Sequence, residues 1–133
     1  MIPALIRKFR DAAARSDATV DVWGTGDATR EFLFVEDGAR AIQLAAERLG
    51  TVEPVNVGSG AEISIAELAR LIAERVGFRG EIRFDASQPD GQPRRRLDVT
   101  RARDLMGFVA EVPFAEGLER TITWHLSRAR ATA

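Results

Sequence analysis

Two stretches of this chain carry side chains that could recognise a ligand. The first is Trp23–Asp37, WGTGDATREFLFVED, where an aromatic plane at Trp23 and a planar cation at Arg30 flank one turn. That pairing suits a ligand with a flat ring and an anionic group, because guanidinium pairs bidentately with phosphate or carboxylate. The plainer alternative, that Trp23 caps the core and Arg30 is solvated, is the commoner fate of a lone Trp and a lone Arg, and taken alone this stretch favours it. The second is Asp85–Leu97, DASQPDGQPRRRL, an irregular loop that ends in Arg94, Arg95 and Arg96. A triple Arg is usually a solvated run or a nucleic-acid patch. Nucleic acid is disfavoured, since no aromatic side chains interleave with the cluster and Asp85, Asp90 and Asp98 lie close to it. Pro93 fixes the backbone just before the arginines and favours a pre-shaped anion clamp.

Absences narrow the chemistry further. The chain has no Cys and a single His, His125, so thiol nucleophiles, disulfides and thiolate metal sites are excluded and a His-based zinc site is not expected. It has no Tyr, and Lys8 is its only Lys, so neither a Tyr-Lys catalytic pair nor a phosphate loop with a lysine after its glycines can be assembled. His125 has no carboxylate partner in view, and its place near the end of the last helix reads as a surface or dipole-stabilised imidazole rather than a general base.

The elements that must position these residues follow from periodicity. Ile2, Leu5, Ile6 and Phe9 have helical spacing, with Pro3 in a first turn where its missing N–H costs nothing. This predicts a helix to about Arg15, with Arg7, Lys8 and Arg10 on the polar face. The helix begins with almost no lead-in, which suggests a natural segment on its N-terminal side. Val20 and Val22 mark a strand. Ile42, Ala45, Ala46 and Leu49 predict the buried row of a second helix from about Glu36 to Leu49. Pro54–Val57 reads as a short strand, Ser64 to Glu67 as a capping box opening a third helix, and Glu81–Phe84 as another strand. Residues 55–84 are thus expected to form a parallel strand, helix, strand unit. Thr100–Met106 reads as a short helix, and Leu118, Ile122 and Leu126 line a last one, with Trp124 expected to pack it.

Two glycine pairs invite a dinucleotide-binding reading, and both fail on spacing. After Gly58 and Gly60 the third glycine position holds Ile63, and the helix begins several residues too late to aim its N–H groups at a pyrophosphate. Gly24 and Gly26 lead towards a strand, with Thr29 in the third position. The 133 residues are 45% hydrophobic and 29% charged with a net charge of −1, which fits one soluble globular domain, residues 1–133, with no global attraction to nucleic acid or membrane. With no apolar run of spanning length and no secretory leader, the cytoplasm is the expected location.

The order of motifs adds a resemblance. Ile2–Phe9 (IPALIRKF), Val22–Gly26 (VWGTG), Arg30–Leu33 (REFL), Asn56–Gly60 (NVGSG), Phe84–Gly91 (FDASQPDG), Pro93–Arg95 and Leu97–Arg101 (LDVTR) resemble the C-terminal part of the GDP-L-fucose synthases. These are extended short-chain dehydrogenase/reductases of the NAD-dependent epimerase/dehydratase family. The resemblance covers nearly the whole chain, and the DASxPDGxPR segment is its most specific part. It implies a small mixed α/β domain that supplies the pocket for a GDP-sugar such as GDP-4-keto-6-deoxymannose, which the parent enzyme epimerises at two carbons and reduces with NADPH. Carried over by position, the family's substrate contacts fall on Lys8, Trp23, Arg30 and Arg95. Lys8 and Arg95 each exchange one basic side chain for the other relative to the family pattern.

What is missing from the pattern matters as much. The family's cofactor glycine motif, its Ser/Thr, Tyr and Lys catalytic set and its epimerisation Cys have no counterpart in this chain, and its epimerisation His falls just before Met1. Hydride transfer needs a bound nicotinamide and a proton donor for the new alkoxide. The chain is therefore expected to hold no cofactor and no catalytic residue of its own, and to be incomplete as a reductase. Its expected partners are a GDP-sugar and either a separate Rossmann-type chain or further copies of itself. The alternative is a non-catalytic remnant or interaction module, favoured if apolar faces on the first helix and at Val55 stand uncovered.

Overall fold

A computed structural model describes residues 1–131. By its contacts the chain divides into two compact units, one made of residues 1–29, 63–94 and 119–133 and the other of residues 30–62 and 95–118. No helix among the described residues is long and apolar enough to cross a membrane.

The first unit is built on α1 (Ile2–Arg15), which buries Leu5, Ile6, Phe9 and Ala12. These positions share one face of a helix at 3.6 residues per turn. Ser16 ends it in the left-handed region at φ 56°, where its N–H still reaches a helix carbonyl. Strand β1 (Thr19–Trp23) buries Val20 and Val22 and turns Asp21 and Trp23 outward, the period-two pattern of a half-buried strand. Helix α3 (Ile65–Arg75) begins where Ser64 Oγ accepts the Glu67 N–H at 3.1 Å, the hydroxyl half of the anticipated capping box. Its buried face of Leu68, Ala69, Ile72 and Ala73 packs on α1. Phe78 closes this core, its ring 5.5 Å from that of Phe9.

Strand β4 (Glu81–Asp85) pairs in parallel with β1, Val20 opposite Ile82 and Trp23 opposite Asp85. This corrects the expectation that β4 would follow a strand at Val55–Val57. Residues 54–57 form no strand. Val55 and Val57 instead pack as half-buried side chains on the core of the second unit, so their apolar character reflects burial without a ladder.

That second core comprises Ala41, Ala102, Met106 and Phe108, with Leu33, Leu44, Ala45 and Leu49 against it. Helix α2 (Val35–Arg48) meets α4 (Thr100–Met106) here. The row expected on α2 is shifted: Ile42 is 74% exposed and Ala41 is buried. The two candidate rows share Ala45 and Leu49, and the small side chain at Ala41 allows the approach of α4 that Ile42 would obstruct. Gly107, at φ 69°, stops α4, and Arg48 donates to the Met106 carbonyl at 3.0 Å. The last helix, α5, runs Phe114–Ala131.

Three short strands remain: β2 (Thr29–Glu31), β3 (Glu62–Ser64) and β5 (Arg94–Arg95), which form a sheet in the order β3-β2-β5. In each of them the chain passes from one unit to the other.

Candidate functional site

Arg30 lies on β2 and Arg95 on its neighbour β5, both within the second unit. Paired strands run about 4.8 Å apart, so the two arginines stand on neighbouring strands of one small sheet. Arg30 is half-buried and Arg95 exposed. A diphosphate or similar anion is the kind of group that accepts charge-assisted hydrogen bonds from guanidinium.

Glu31, next to Arg30, is the residue that the sequence reading passed over. Its Oε1 accepts the Gly60 N–H and its Oε2 accepts the Leu97 N–H, each at 2.7 Å. Gly58 lies directly against it, since a Cβ there would come within 2.2 Å of Glu31 Oε1. One carboxylate thereby ties β2 to the 58–60 turn and to the segment leaving β5. The only signal in the sequence was an acid flanked by Arg and an apolar run, which does not reveal its partners.

Lys8 and Trp23 lie in the first unit. Trp23 ends β1 and is 71% exposed, so it does not cap the core. The Lys8 ammonium reaches from α1 to donate to the carbonyl of Asp21, two residues before Trp23. The turn that follows, Gly24 to Gly26, has both glycines in the left-handed region at φ 85° and 86°. Its amide and hydroxyl are taken by the second stretch singled out above: Asp90 Oδ1 accepts the Thr25 N–H at 2.7 Å and Oδ2 accepts the Thr25 hydroxyl at 2.8 Å. A Cβ on Gly24 would meet Asp90 Oδ1 at 2.2 Å. The Thr25 hydroxyl, its N–H and the Gly26 N–H hold the Asp90 carboxyl below its usual range. A carboxylate with a depressed native pKa contributes fully above its unfolded value and loses that contribution as pH falls through the native one. Loop 85–93 should therefore dock at neutral pH and loosen in acid. Asp90→Ala is expected to lower the amide protection factors of residues 86–92 at pH 7 to those that the wild-type loop shows only below about pH 4.

Neither glycine turn fits the pyrophosphate of a dinucleotide. The N–H groups such a ligand would need are occupied, by Asp90 at one turn and by Glu31 at the other. Among the described residues no group of three or more His, Asp or Glu is arranged to hold a metal ion. Trp124, expected to pack the last helix, is 60% exposed with the Arg128 guanidinium 5.6 Å from its ring centroid. His125 departs from the surface position expected of it, since its Nε2 is buried without a hydrogen-bond partner among the described residues.

Residues 1–58 match the family model of the NAD dependent epimerase/dehydratase family. The chain is 46% identical over 95% of its length to a probable GDP-L-fucose synthase 1 of Oryza sativa subsp. japonica, and 45% identical over 95% to the GDP-L-fucose synthase of Escherichia coli (strain K12). The chain is related to the GDP-L-fucose synthases. It spans 38% and 42% of the length of those two relatives. A crystal structure of a GDP-L-fucose synthetase from Naegleria fowleri bound to NADP superposes with a TM-score of 0.89 at 26% identity, covering 97% of this chain and 40% of that one. The kinship expected from the motifs is thus borne out along nearly the whole chain, and its mixed α/β fold matches a portion of the extended short-chain dehydrogenase fold.

Proposed function

We propose that this chain is the nucleotide-sugar-binding portion of a GDP-L-fucose-synthase-like epimerase/reductase, taking a ligand of the GDP-4-keto-6-deoxymannose class and catalytically incomplete by itself. The observation that carries this reading is the placement of Arg30 and Arg95 on adjacent strands of one sheet, in a chain related to enzymes of that name. Their guanidinium groups grip the diphosphate. Lys8 and Trp23, both in the first unit, are the other positions where the resemblance places substrate contacts, and Trp23 offers an exposed aromatic face suited to a flat ring. NADP and the redox step belong to the parts of the relatives that this chain does not match, and the working location is the cytoplasm.

Calorimetric titration with GDP tests the reading. A charge-assisted Arg–phosphate pair contributes about 1.5–3 kcal/mol, so Arg30→Ala and Arg95→Ala should each weaken GDP roughly 10- to 100-fold. Unaltered binding in both variants would remove the clamp.

A second reading, a module that docks on a separate Rossmann-type chain or on its own copies, has one observation in its favour. Val35 and Ile42, seven residues apart on one face of α2, are each 74% exposed. The faces first expected to serve this purpose are otherwise engaged: α1 packs on α3 and β1, and Val55 packs on the second core. Loss of co-elution with such a chain, or of self-association, on Ile42→Asp would support it.

A further inference from the structure

We infer that Glu31 is the positioning residue that sets the placement of Arg95 beside Arg30, an inference that rests on the diphosphate reading above. Strand β5 is two residues long and β2 three. Ladders this short specify register weakly unless a buried face fixes it, and every residue from Gly91 to Asp98 is exposed. No apolar anchor therefore holds Arg95 in place. Polar contacts bracket it: the Pro93 carbonyl, two residues before Arg95, accepts the Thr29 N–H at 2.9 Å, and the Leu97 N–H, two residues beyond, is donated to Glu31 Oε2 at 2.7 Å. The carboxylate is itself held from the other side, by the Gly60 N–H at 2.7 Å and by the close approach of Gly58.

Glu31 acts through this geometry and not by touching the anion. Successive side chains of a strand point to opposite faces, so Glu31 and Arg30 project to opposite sides of β2. A carboxylate suits the task because it accepts two N–H groups at once, whereas an amide in its place presents its own NH2 to one of them. Electrostatics and positioning then predict opposite signs. Removing a negative charge from the strand that carries Arg30 should tighten anion binding by Coulomb attraction, while releasing the tether of Arg95 should weaken it.

The test is calorimetric titration of the full chain with GDP and, separately, with guanosine. Glu31→Gln is expected to weaken GDP about tenfold, the scale seen when a side chain orienting a ligand contact is removed, and to change guanosine affinity by less than about twofold. Gly58→Ala leaves every charge and hydrogen-bonding group in place but pushes on Glu31 Oε1, and should weaken GDP in the same direction. It serves as the independent variant if Glu31→Gln melts before it can be titrated. The double variant Glu31→Gln/Arg95→Ala should bind GDP no more weakly than Arg95→Ala, since the tether has nothing left to place. Unchanged or tighter GDP binding in Glu31→Gln or Gly58→Ala, with Arg30→Ala and Arg95→Ala still weakened, overturns the inference alone. GDP binding that is absent in the wild type, or indifferent to both arginines, overturns the diphosphate reading and the inference with it.

Discussion

Asp37→Ala is expected to destabilise the second unit by about 3–5 kcal/mol, the cost of breaking a buried, hydrogen-bonded charge site from one side. Asp37 is 2% exposed and is the buried charged residue among those described. Its carboxylate accepts the Glu111 N–H at 3.0 Å and the Val112 N–H at 2.9 Å, and pairs with Arg40 at 3.0 Å. Arg40 in turn donates to the Val109 carbonyl and lies 5.1 Å from the centre of the Phe108 ring in the core. Truncation leaves two amides without their acceptor and takes from Arg40 one of its two carboxylate partners, the other being Glu111 at 3.1 Å. Asp37→Asn keeps the shape but turns an NH2 towards one amide, and should cost about 2 kcal/mol.

Acid should imitate the mutation. Burial by itself would raise the Asp37 pKa, but the Val112 and Glu111 amides and Arg40 outweigh it and hold the carboxyl below its usual range. With the native value below the unfolded one, the carboxylate stabilises the fold fully above about pH 4 and progressively less as pH falls through the native value. The stability of the wild type, followed by urea melts between pH 7 and 2, should fall along this limb. In Asp37→Ala the same limb should be shallower, and parallel curves would show that other carboxylates govern acid unfolding.

Phe9→Ala carries the second large effect, about 3–5 kcal/mol. Phe9 is fully buried, its ring tilted at 47° against that of Phe78, and lies where α1 meets β1 and α3. Leu5, Ile6, Leu68, Ile72 and Phe78 are buried in the same core beside the small side chains of Ala12, Ala69 and Ala73. The cost within that range depends on how far these neighbours relax into the cavity. Hydrogen exchange at β1 and β4 amides should report it directly, and loss of protection confined to α1 would contradict a shared core.

Local patterns in the sequence reveal whatever one segment determines by itself. The face of α1, the hydroxyl cap at Ser64, the alternation of β1 and the extent of α4 each follow from residues within a turn or two of one another. The pairing of β1 with β4 does not, because a ladder is chosen by which strand is at hand, and Val55–Val57 has the same composition as a strand without a neighbour. The α2 phase error has a similar origin: Ala45 and Leu49 fit two rows, and only α4 decides between them.

For the candidate site, Trp23, Arg30 and Arg95 stood out by side-chain type, while the carboxylates that organise their surroundings did not. Asp37 could be placed in the first turn of a helix, Asp90 in a polar loop and Glu31 beside an arginine. Their function lies in amides 74, 65 and 66 positions away, and backbone N–H groups carry no sequence signature.

The alternation of the two units along the chain has a consequence for synthesis and dissection. Because unit 2 is complete at Leu118 whereas unit 1 draws on residues from Glu119 onward, an emerging polypeptide finishes the second unit while the first still waits for the later part of α5. Vectorial production therefore orders the two folding events without any kinetic preference being required. An interleaved arrangement of this kind offers no internal cleavage point that would release both halves whole: severing the peptide after Glu62 or after Arg94 divides both units.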